Sequence, residues 1–461
     1  MSKASARATP PLAVVVLAAG RGTRMRSERP KVLQTLAGRP LLDWVLETAL
    51  SLNPERILLV HPPDADWIPA GVPRLTGVVQ PSPLGSGDAV RCALQPVDPG
   101  DRILVLYGDV PLVSFDDIAC LLDVVQDDGL ALLTARPQDP RGYGRVLRDT
   151  RGRICAVREE RDLDPAETLK LKEVNTGVMT ARAARLKHWL RDLRNDNVQG
   201  EYYLTDVVAR AVADGSPILD REARDNDGAL GANDARDLAR LEAVVRRRKA
   251  ESLLDAGVHV LDPLRLDVRG TVVVGRDVVL DVDVILEGRV ELADGVRVGA
   301  FSYLRDVTVE SGAEIRPFSH LEDAHVGAGC RVGPYARLRD GVVLAGCVRV
   351  GNFVELKKCS IGDGSKILHL SYVGDARIGR DVNLGAGVVT VNYDGTNKNT
   401  TVVEDGAFVG CGSELVAPVV VGAGSYVGAG STVTEDTPPG ELTLARARQV
   451  TVRGWRPPGK R

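Results

Sequence analysis

An apolar run from Leu12 to Ala19 feeds directly into Gly20-Arg21-Gly22-Thr23-Arg24-Met25, with Pro30-Lys31 close behind. Glycines at 20 and 22 let backbone N–H groups approach phosphate oxygens, and Arg24 and Lys31 add positive charge. The segment has neither the Gly-Lys-Ser/Thr end of a Walker A loop nor G-x-G-x-x-G spacing, so alone it reads as a phosphate loop or as a glycine-rich turn. Two further pieces favour a ligand. Tyr107-Gly108-Asp109 closes another apolar run and puts a carboxylate where parallel sheets bind ligands, although a strand-end turn acid looks the same. Leu84-Gly85-Ser86-Gly87 is a second small-residue loop able to admit a flat base. Together they describe a nucleoside triphosphate held by glycine-rich loops, with a carboxylate carrying Mg2+.

The second half of the chain carries a different set. Leu338, Leu356 and Val373 belong to an apolar repeat and lie 18 and then 17 residues apart. Arg339, Lys357 and Tyr372 flank them and are expected on one outer face, in a column over three successive coils about 4.8 Å apart. Two cations and a tyrosine so placed can bind a sugar phosphate; a solvated polar edge is the competing reading. His369, two residues after Ile367, falls outside the inward set and near that column, where a neutral imidazole is the natural base close to pH 7. Val391 to Lys398 breaks the repeat. A loop leaving a solenoid is a common binding element, and a tolerated insertion is the alternative.

The elements that must position these groups follow from patterning. Ala13–Leu17, Ile57–Val60, Arg102–Leu106 and Ala131–Thr134 read as buried strands, while 41–50 and 115–125 have helical spacing; this is an α/β pattern with a mostly parallel sheet. Leu238, Leu241, Val244 and Val245 form the apolar stripe of a linker helix, and Arg246, Arg247, Arg248 and Lys249 read as its solvated face rather than a nucleic-acid site. After about residue 258, aliphatic residues recur every six positions, from Val274, Leu280, Leu286, Leu292 and Val298 to Val421, Val427 and Val433. That period marks a parallel β-helix with three hexapeptides per coil. A narrow core of this kind explains why aromatics are only 4% while glycines number 48. The expected division is residues 1–235, a linker helix 236–256, and a β-helix 257–461.

A chain of 461 residues, 44% hydrophobic and 26% charged, is long enough for two or more domains and too apolar for disorder. Lys plus Arg number 59 against 62 Asp plus Glu, a formal charge of −3, which gives no support to nucleic-acid binding through a basic surface. The early apolar run falls far short of the ~20 residues that span a bilayer and reads as a strand rather than a signal sequence. Seven cysteines with no C-x-x-C pair suggest neither a disulfide framework nor a zinc site. Reduced, buried thiols in a cytoplasmic protein are expected.

The segment from Leu17 to Leu33, the Leu84-Gly85-Ser86-Gly87 loop, Tyr107-Gly108-Asp109, Gly142-Tyr143-Gly144-Arg145, Glu173-Val174-Asn175-Thr176-Gly177 and the hexapeptide half together resemble the bifunctional N-acetylglucosamine-1-phosphate uridyltransferase/glucosamine-1-phosphate acetyltransferase family. The resemblance runs over nearly the whole chain beyond the first ten residues. It implies a Rossmann-like α/β nucleotidyltransferase domain followed by an all-β left-handed parallel β-helix, and assembly as a homotrimer with acetyl-transfer sites between subunits. It also implies that the acetyltransferase half acetylates glucosamine 1-phosphate and the other half converts the product to UDP-N-acetylglucosamine for cell-envelope synthesis. On the uridyltransferase side, Leu17, Ala18, Ala19 and Gly20 would contact the nucleotide and Arg24 and Lys31 would neutralise UTP's triphosphate. Gln80, Gly85 and Ser86 would read uracil beside Tyr107 and Gly108, with Ser86 standing where the family usually has Thr. Gly144, Glu159 and Asn175 would hold the sugar, and Asp109 and Asn233 would bind Mg2+. On the acetyltransferase side, His369 would be the general base. Arg339, Lys357, Tyr372 and Asn383 would bind the sugar phosphate, with Glu355 and Asn392 orienting the amine. Ala386, Asn392, Tyr393, Cys411, Ala429 and Arg446 would contact acetyl-CoA; Cys411 stands where the family usually has Ser, and a packed thiol is the default reading of it. Two rivals remain at this stage. One is a single-function nucleotidyltransferase whose β-helix only oligomerises, against which stand His369, the Asn392-Tyr393 loop and Arg446. The other is a noncatalytic scaffold, against which stand Lys31 and Asp109.

Overall fold

The computed structural model describes residues 10–20, 22–125 and 128–456. The chain divides into two compact units, Met1–Val245 and Arg246–Arg461, with the boundary inside a helix over Ala235–Asp255.

In the first unit, the aliphatic runs form the centre of a sheet ordered Ile218–Glu222, Leu130–Ala135, Val174–Arg182, Arg102–Tyr107, Leu12–Leu17, Arg56–His61, Leu75–Val79. All neighbours on this path are parallel except around Val174–Arg182, which runs antiparallel to both of its own. Val14, Val15, Val16, Ile103, Leu104 and Val105 are completely buried. Near-continuous Val/Ile/Leu is what a sheet covered on both faces requires. The chain steps from Leu12–Leu17 outward to Arg56–His61 and Leu75–Val79, then returns to the other side with Arg102–Tyr107. The crevice beyond the carboxyl ends of Leu12–Leu17 and Arg102–Tyr107 is therefore the switch point at which such sheets bind ligands. Leu238, Leu241, Val244 and Val245 pack with Leu36, Leu41 and Leu112 in a smaller cluster of this unit.

In the second unit the six-residue period becomes three-faced coils in parallel register: Leu286 pairs with Leu304, Leu304 with Leu321, Leu321 with Leu338, Leu338 with Leu356 and Leu356 with Val373. The periodic aliphatics from Leu280 to Val433 are buried; Val274, at the start of the stack, is half-buried. One corner of every coil lies three residues after a periodic aliphatic and has positive φ: Phe301, Phe318, Tyr335, Phe353 and Leu370, then Gly387, Gly412 and Gly430. The four aromatics stack in an exposed ladder with ring centroids 5.0, 4.9 and 5.2 Å apart. Between Ile378 and its register partner Val403, the chain leaves the stack as the loop expected after Val391, closed by a Tyr393–Lys398 bridge. Among the described residues, no helix is long and apolar enough to cross a membrane.

Candidate functional site

In the first unit the two loops at the switch point emerge side by side: Leu17 pairs with Tyr107, and Gly108 N donates to Leu17 O at 2.9 Å. Gly108 is closely packed: a Cβ there would meet Val32 Cγ1 at 3.1 Å and Leu17 O at 3.2 Å. Ala18 is buried, Ala19 half-buried and Gly20 exposed, so the loop rises out of the sheet as it turns toward Arg24. Arg21 lies outside the described residues. A remote segment closes the other side. Ala232 N donates to Asp109 O at 2.9 Å, and Tyr143 Oη donates to Gly231 O at 2.8 Å. This brings Asn233 to Asp109: the Lys31 ammonium donates to Asp109 Oδ2 and, at 3.1 Å, to Asn233 Oδ1. Arg24 Nη2 donates to the same Asn233 oxygen at 3.0 Å. Two oxygen donors facing one cationic nitrogen suit a hard ion such as Mg2+.

The residues expected to hold base and sugar are contiguous. Gln80 Nε2 donates to Gly85 O at 3.1 Å and Asp88 Oδ2 at 3.0 Å, fixing the turn before Ser86. Gly85 sits at φ +107°, where a Cβ would meet Tyr202 O at 2.7 Å. Asn175 N donates to Gly144 O at 2.9 Å, and the place of a Cβ on Gly144 lies 3.2 Å from Glu159 Oε1. Asn175 Oδ1 is buried without a hydrogen-bond partner. Burial holds the Glu159 carboxyl above its ordinary range, only partly offset by the hydrogen bond it accepts from Thr205 Oγ1 at 3.1 Å. Burial likewise pushes the Tyr107 phenol well up. Sequence reasoning missed the segment that ties these loops together. Tyr202 N donates to Leu84 O, Gly87 N to Tyr202 O, both at 2.8 Å, and Leu204 N to Ser86 Oγ at 3.1 Å. The paired aromatics Tyr202-Tyr203 were the available signal in so aromatic-poor a chain.

In the second unit, Arg339 and Lys357 are register partners, but the next residue of their column is Gly374; Tyr372 pairs with Glu355. The expected single column of Arg339, Lys357 and Tyr372 is thus corrected to two adjacent columns of one outer face. Lys357 follows its inward residue whereas Tyr372 precedes its own, and the two positions differ by about 6.6 Å along a strand. The missing Cβ of Gly374 lets the Tyr372 phenol lean across into the cation column, beside Asn392 Nδ2. Arg339 Nε donates to Glu355 Oε1 at 2.7 Å, and buried Lys357 donates to Asp375 Oδ2 at 3.4 Å. Asp375 also accepts from Asn392 Nδ2, so this unanticipated corner residue orients both the ammonium and the amide. Gly374→Ala should drive the Tyr372 ring out of the cation column and away from Asn392; a crystal structure of the variant checks this.

His369 is exposed, but it belongs to the other sheet. Its strand partner is Asn352, whose Oδ1 lies 2.9 Å from His369 Nδ1, and two corner residues separate it from Tyr372. Exposed and outside the inward set, as expected, it follows Asn352 in a corner column distinct from that of Arg339 and Lys357. Gly387 N donates to His369 O at 3.2 Å, Gly412 N to Ala386 O at 2.8 Å and Gly430 N to Cys411 O at 2.8 Å. His369, Ala386, Cys411 and Ala429 thus succeed one another on consecutive coils, with Arg446 Nη1 donating to Ala429 O at 2.6 Å. Asn383 lies half-buried in the strand before Ala386, and Tyr393 is exposed in the excursion. Cys411 is exposed rather than packed, as are Cys120 and Cys347; only Cys330 and Cys359 are buried, and all seven are free.

The MobA-like NTP transferase domain model matches residues 14–211, and the bacterial transferase hexapeptide model (six repeats) matches residues 400–435. The chain is 50% identical over 449 residues to the bifunctional protein GlmU of Ralstonia nicotianae, covering 97% of this chain and 98% of that one. It is 50% identical over 452 residues to bifunctional protein GlmU of Alkalilimnicola ehrlichii, covering 98% and 97%. With that of Bordetella parapertussis it shares 49% identity over 98% of this chain and 100% of the other. Likeness of this degree over both units, and over nearly the full length of each relative, means that the chain belongs to the family of the bifunctional protein GlmU, enzymes that join a uridyltransferase to an acetyltransferase in making UDP-N-acetylglucosamine.

Proposed function

We propose that the Arg246–Arg461 unit acetylates glucosamine 1-phosphate and the Met1–Val245 unit transfers a uridylyl group to the product. The reading is supported above all by the meeting of Asp109 and Asn233 on one ammonium beside a glycine-rich loop. Backbone N–H groups of the loop after Leu17, with Arg24 and Lys31, bind the triphosphate of UTP. Gln80, Gly85, Ser86, Tyr107 and Gly108 surround the base, and Gly144, Glu159 and Asn175 the sugar. A 1-phosphate oxygen of N-acetylglucosamine 1-phosphate bonds to the α-phosphorus as the α–β bridge breaks and pyrophosphate leaves. The protein contributes alignment and fixed positive charge rather than a covalent intermediate. Asp109 and Asn233 would hold Mg2+, which when bound supplies charge neutralisation at the phosphates.

In acetyl transfer, the His369 ring with Nδ1–H donated to Asn352 Oδ1 leaves Nε2 free to accept a proton from the amine of glucosamine 1-phosphate. The amine nitrogen bonds to the thioester carbonyl of acetyl-CoA, and CoA leaves as the thiol. Arg339, Lys357, Tyr372 and Asn383 bind the sugar phosphate, Glu355 and Asn392 orient the amine, and Ala386, Asn392, Tyr393, Cys411, Ala429 and Arg446 line the acetyl-CoA path. The same reading includes a homotrimer and a cytoplasmic location; sedimentation should give three copies of the 49.3 kDa chain.

Glucosamine 1-phosphate, acetyl-CoA, UTP and Mg2+ supplied together should yield UDP-N-acetylglucosamine; thiol release without that product would reject the two-step reading. The half-buried Glu159 adds a pH test. Its carboxyl is held above the ordinary range, so it takes up a proton as pH falls toward that raised value and becomes a weaker acceptor for the sugar. KM for N-acetylglucosamine 1-phosphate should therefore rise on acidification, and Glu159→Gln should flatten that limb. An unchanged acid limb in the variant would assign it elsewhere.

A further inference from the structure

We propose that Lys31 is a tethered stand-in for the metal: its ammonium holds Asp109 and Asn233 until a triphosphate draws it away, so that metal capture waits for nucleotide. The inference rests on the reading that these two residues hold Mg2+, and it concerns the state before substrate arrives. The lysine Nζ donates to Asp109 Oδ2 and to Asn233 Oδ1, the very oxygens that would face the ion. Arg24 Nη2 occupies the same amide oxygen. An amide oxygen has two lone pairs, and both are thereby engaged by cations. The Lys31 and Asp109 side chains are only 12% and 17% exposed, so water does little to loosen their pairing.

The protein alone is also a poor host for a divalent ion. Among the described residues there is no group of three or more His, Cys, Asp or Glu able to hold a metal. One carboxylate, already neutralised, and one amide leave most of the coordination to be supplied by phosphate oxygens, the usual arrangement for Mg2+ at nucleotide sites. The lysine stem is held in place. Gly22, at φ +60°, passes so close that a Cβ there would meet Lys31 Cβ at 2.6 Å, and Lys31 opens the short turn Lys31–Leu33. Only the outer methylenes and the ammonium remain to swing, from the carboxylate toward phosphates arriving beside Gly20 and Gly22. A triphosphate that binds the swung lysine better than the paired one shifts that equilibrium, and the same movement uncovers the two oxygens.

The test follows protein-bound Mn2+ by water-proton relaxation enhancement in the full-length protein. Without nucleotide, Lys31→Met and Lys31→Gln should each bind Mn2+ about tenfold more tightly than the wild type, since removing the neighbouring positive charge restores the bare carboxylate. The gain should vanish in Lys31→Met/Asp109→Asn. With UTP alone, the wild type should acquire a tight Mn2+ that Asp109→Asn lacks. If both lysine variants bind nucleotide-free Mn2+ no better than the wild type while Asp109→Asn abolishes the UTP-dependent ion, the stand-in is overturned and the metal reading survives. If Asp109→Asn keeps the UTP-dependent ion, the metal reading itself falls.

Discussion

His369→Ala should cut acetyl-CoA-dependent thiol release about a hundred- to ten-thousand-fold, the range a positioned general base supplies, and leave UTP-dependent pyrophosphate release at the wild-type rate. The asymmetry comes from the placement of the ring. It is exposed at the end of a β-helix strand and held through Nδ1 by Asn352, so its removal leaves the aliphatic core of the coil in place. Adding N-acetylglucosamine 1-phosphate should therefore restore UDP-N-acetylglucosamine formation in the variant. Asn352→Ala makes the argument sharper. It keeps the imidazole but frees its orientation, and should lose an intermediate factor of about ten to a hundred, mostly in kcat. Equal acetyl transfer by wild type and His369→Ala would remove the ring from the reaction.

Asp109→Ala should have the mirror effect. Uridylyl transfer should fall about a hundred- to a thousand-fold, as expected when a group stabilising charge at the phosphates is lost, with acetyl transfer intact. In the coupled assay, N-acetylglucosamine 1-phosphate should then accumulate without reaching UDP-N-acetylglucosamine. The variant also strips the Lys31 ammonium of its carboxylate partner, so nucleotide affinity should fall less than turnover does. Product analysis by anion-exchange chromatography reads both quantities. Pyrophosphate release unaffected in Asp109→Ala would place the metal elsewhere.

Most of the architecture was legible because it is periodic. An aliphatic residue every six positions leaves no choice about which side chains face the coil interior, and Leu286, Leu304 and Leu321 are buried in the register that counting predicts. The Leu12–Leu17 and Arg102–Tyr107 strands were equally plain, since a run buried on both faces has no polar interruption. The sites were legible where one short segment carries the chemistry, as in the loop after Leu17. They were not where the fold joins distant segments. Nothing local in Asn233 points to Asp109; the Ala232 N–H bonded to Asp109 O does that. Counting coils assigned Tyr372 to the face of Lys357 but not to its neighbouring column, because the side of the inward residue was left out of the count. Asp375 was overlooked since its role depends on a positive-φ corner that aims it at Lys357 and Asn392.

The aromatic-bearing corner of each coil has one more consequence. Phe301, Phe318, Tyr335, Phe353 and Leu370 adopt φ between +50° and +61° there, a conformation ordinarily left to glycine. The backbone at this bend can therefore bear a large side chain. A Cβ on Gly412 or Gly430 would also find nothing of the chain within 4 Å. Neither dihedral relief nor internal crowding explains why the ridge stops just past His369 and glycine takes over at 387, 412 and 430. What the change produces is bare backbone on three successive coils, next to Ala386, Cys411 and Ala429, the residues proposed to line the acetyl-CoA path, where the coils before them carry a bulky side chain.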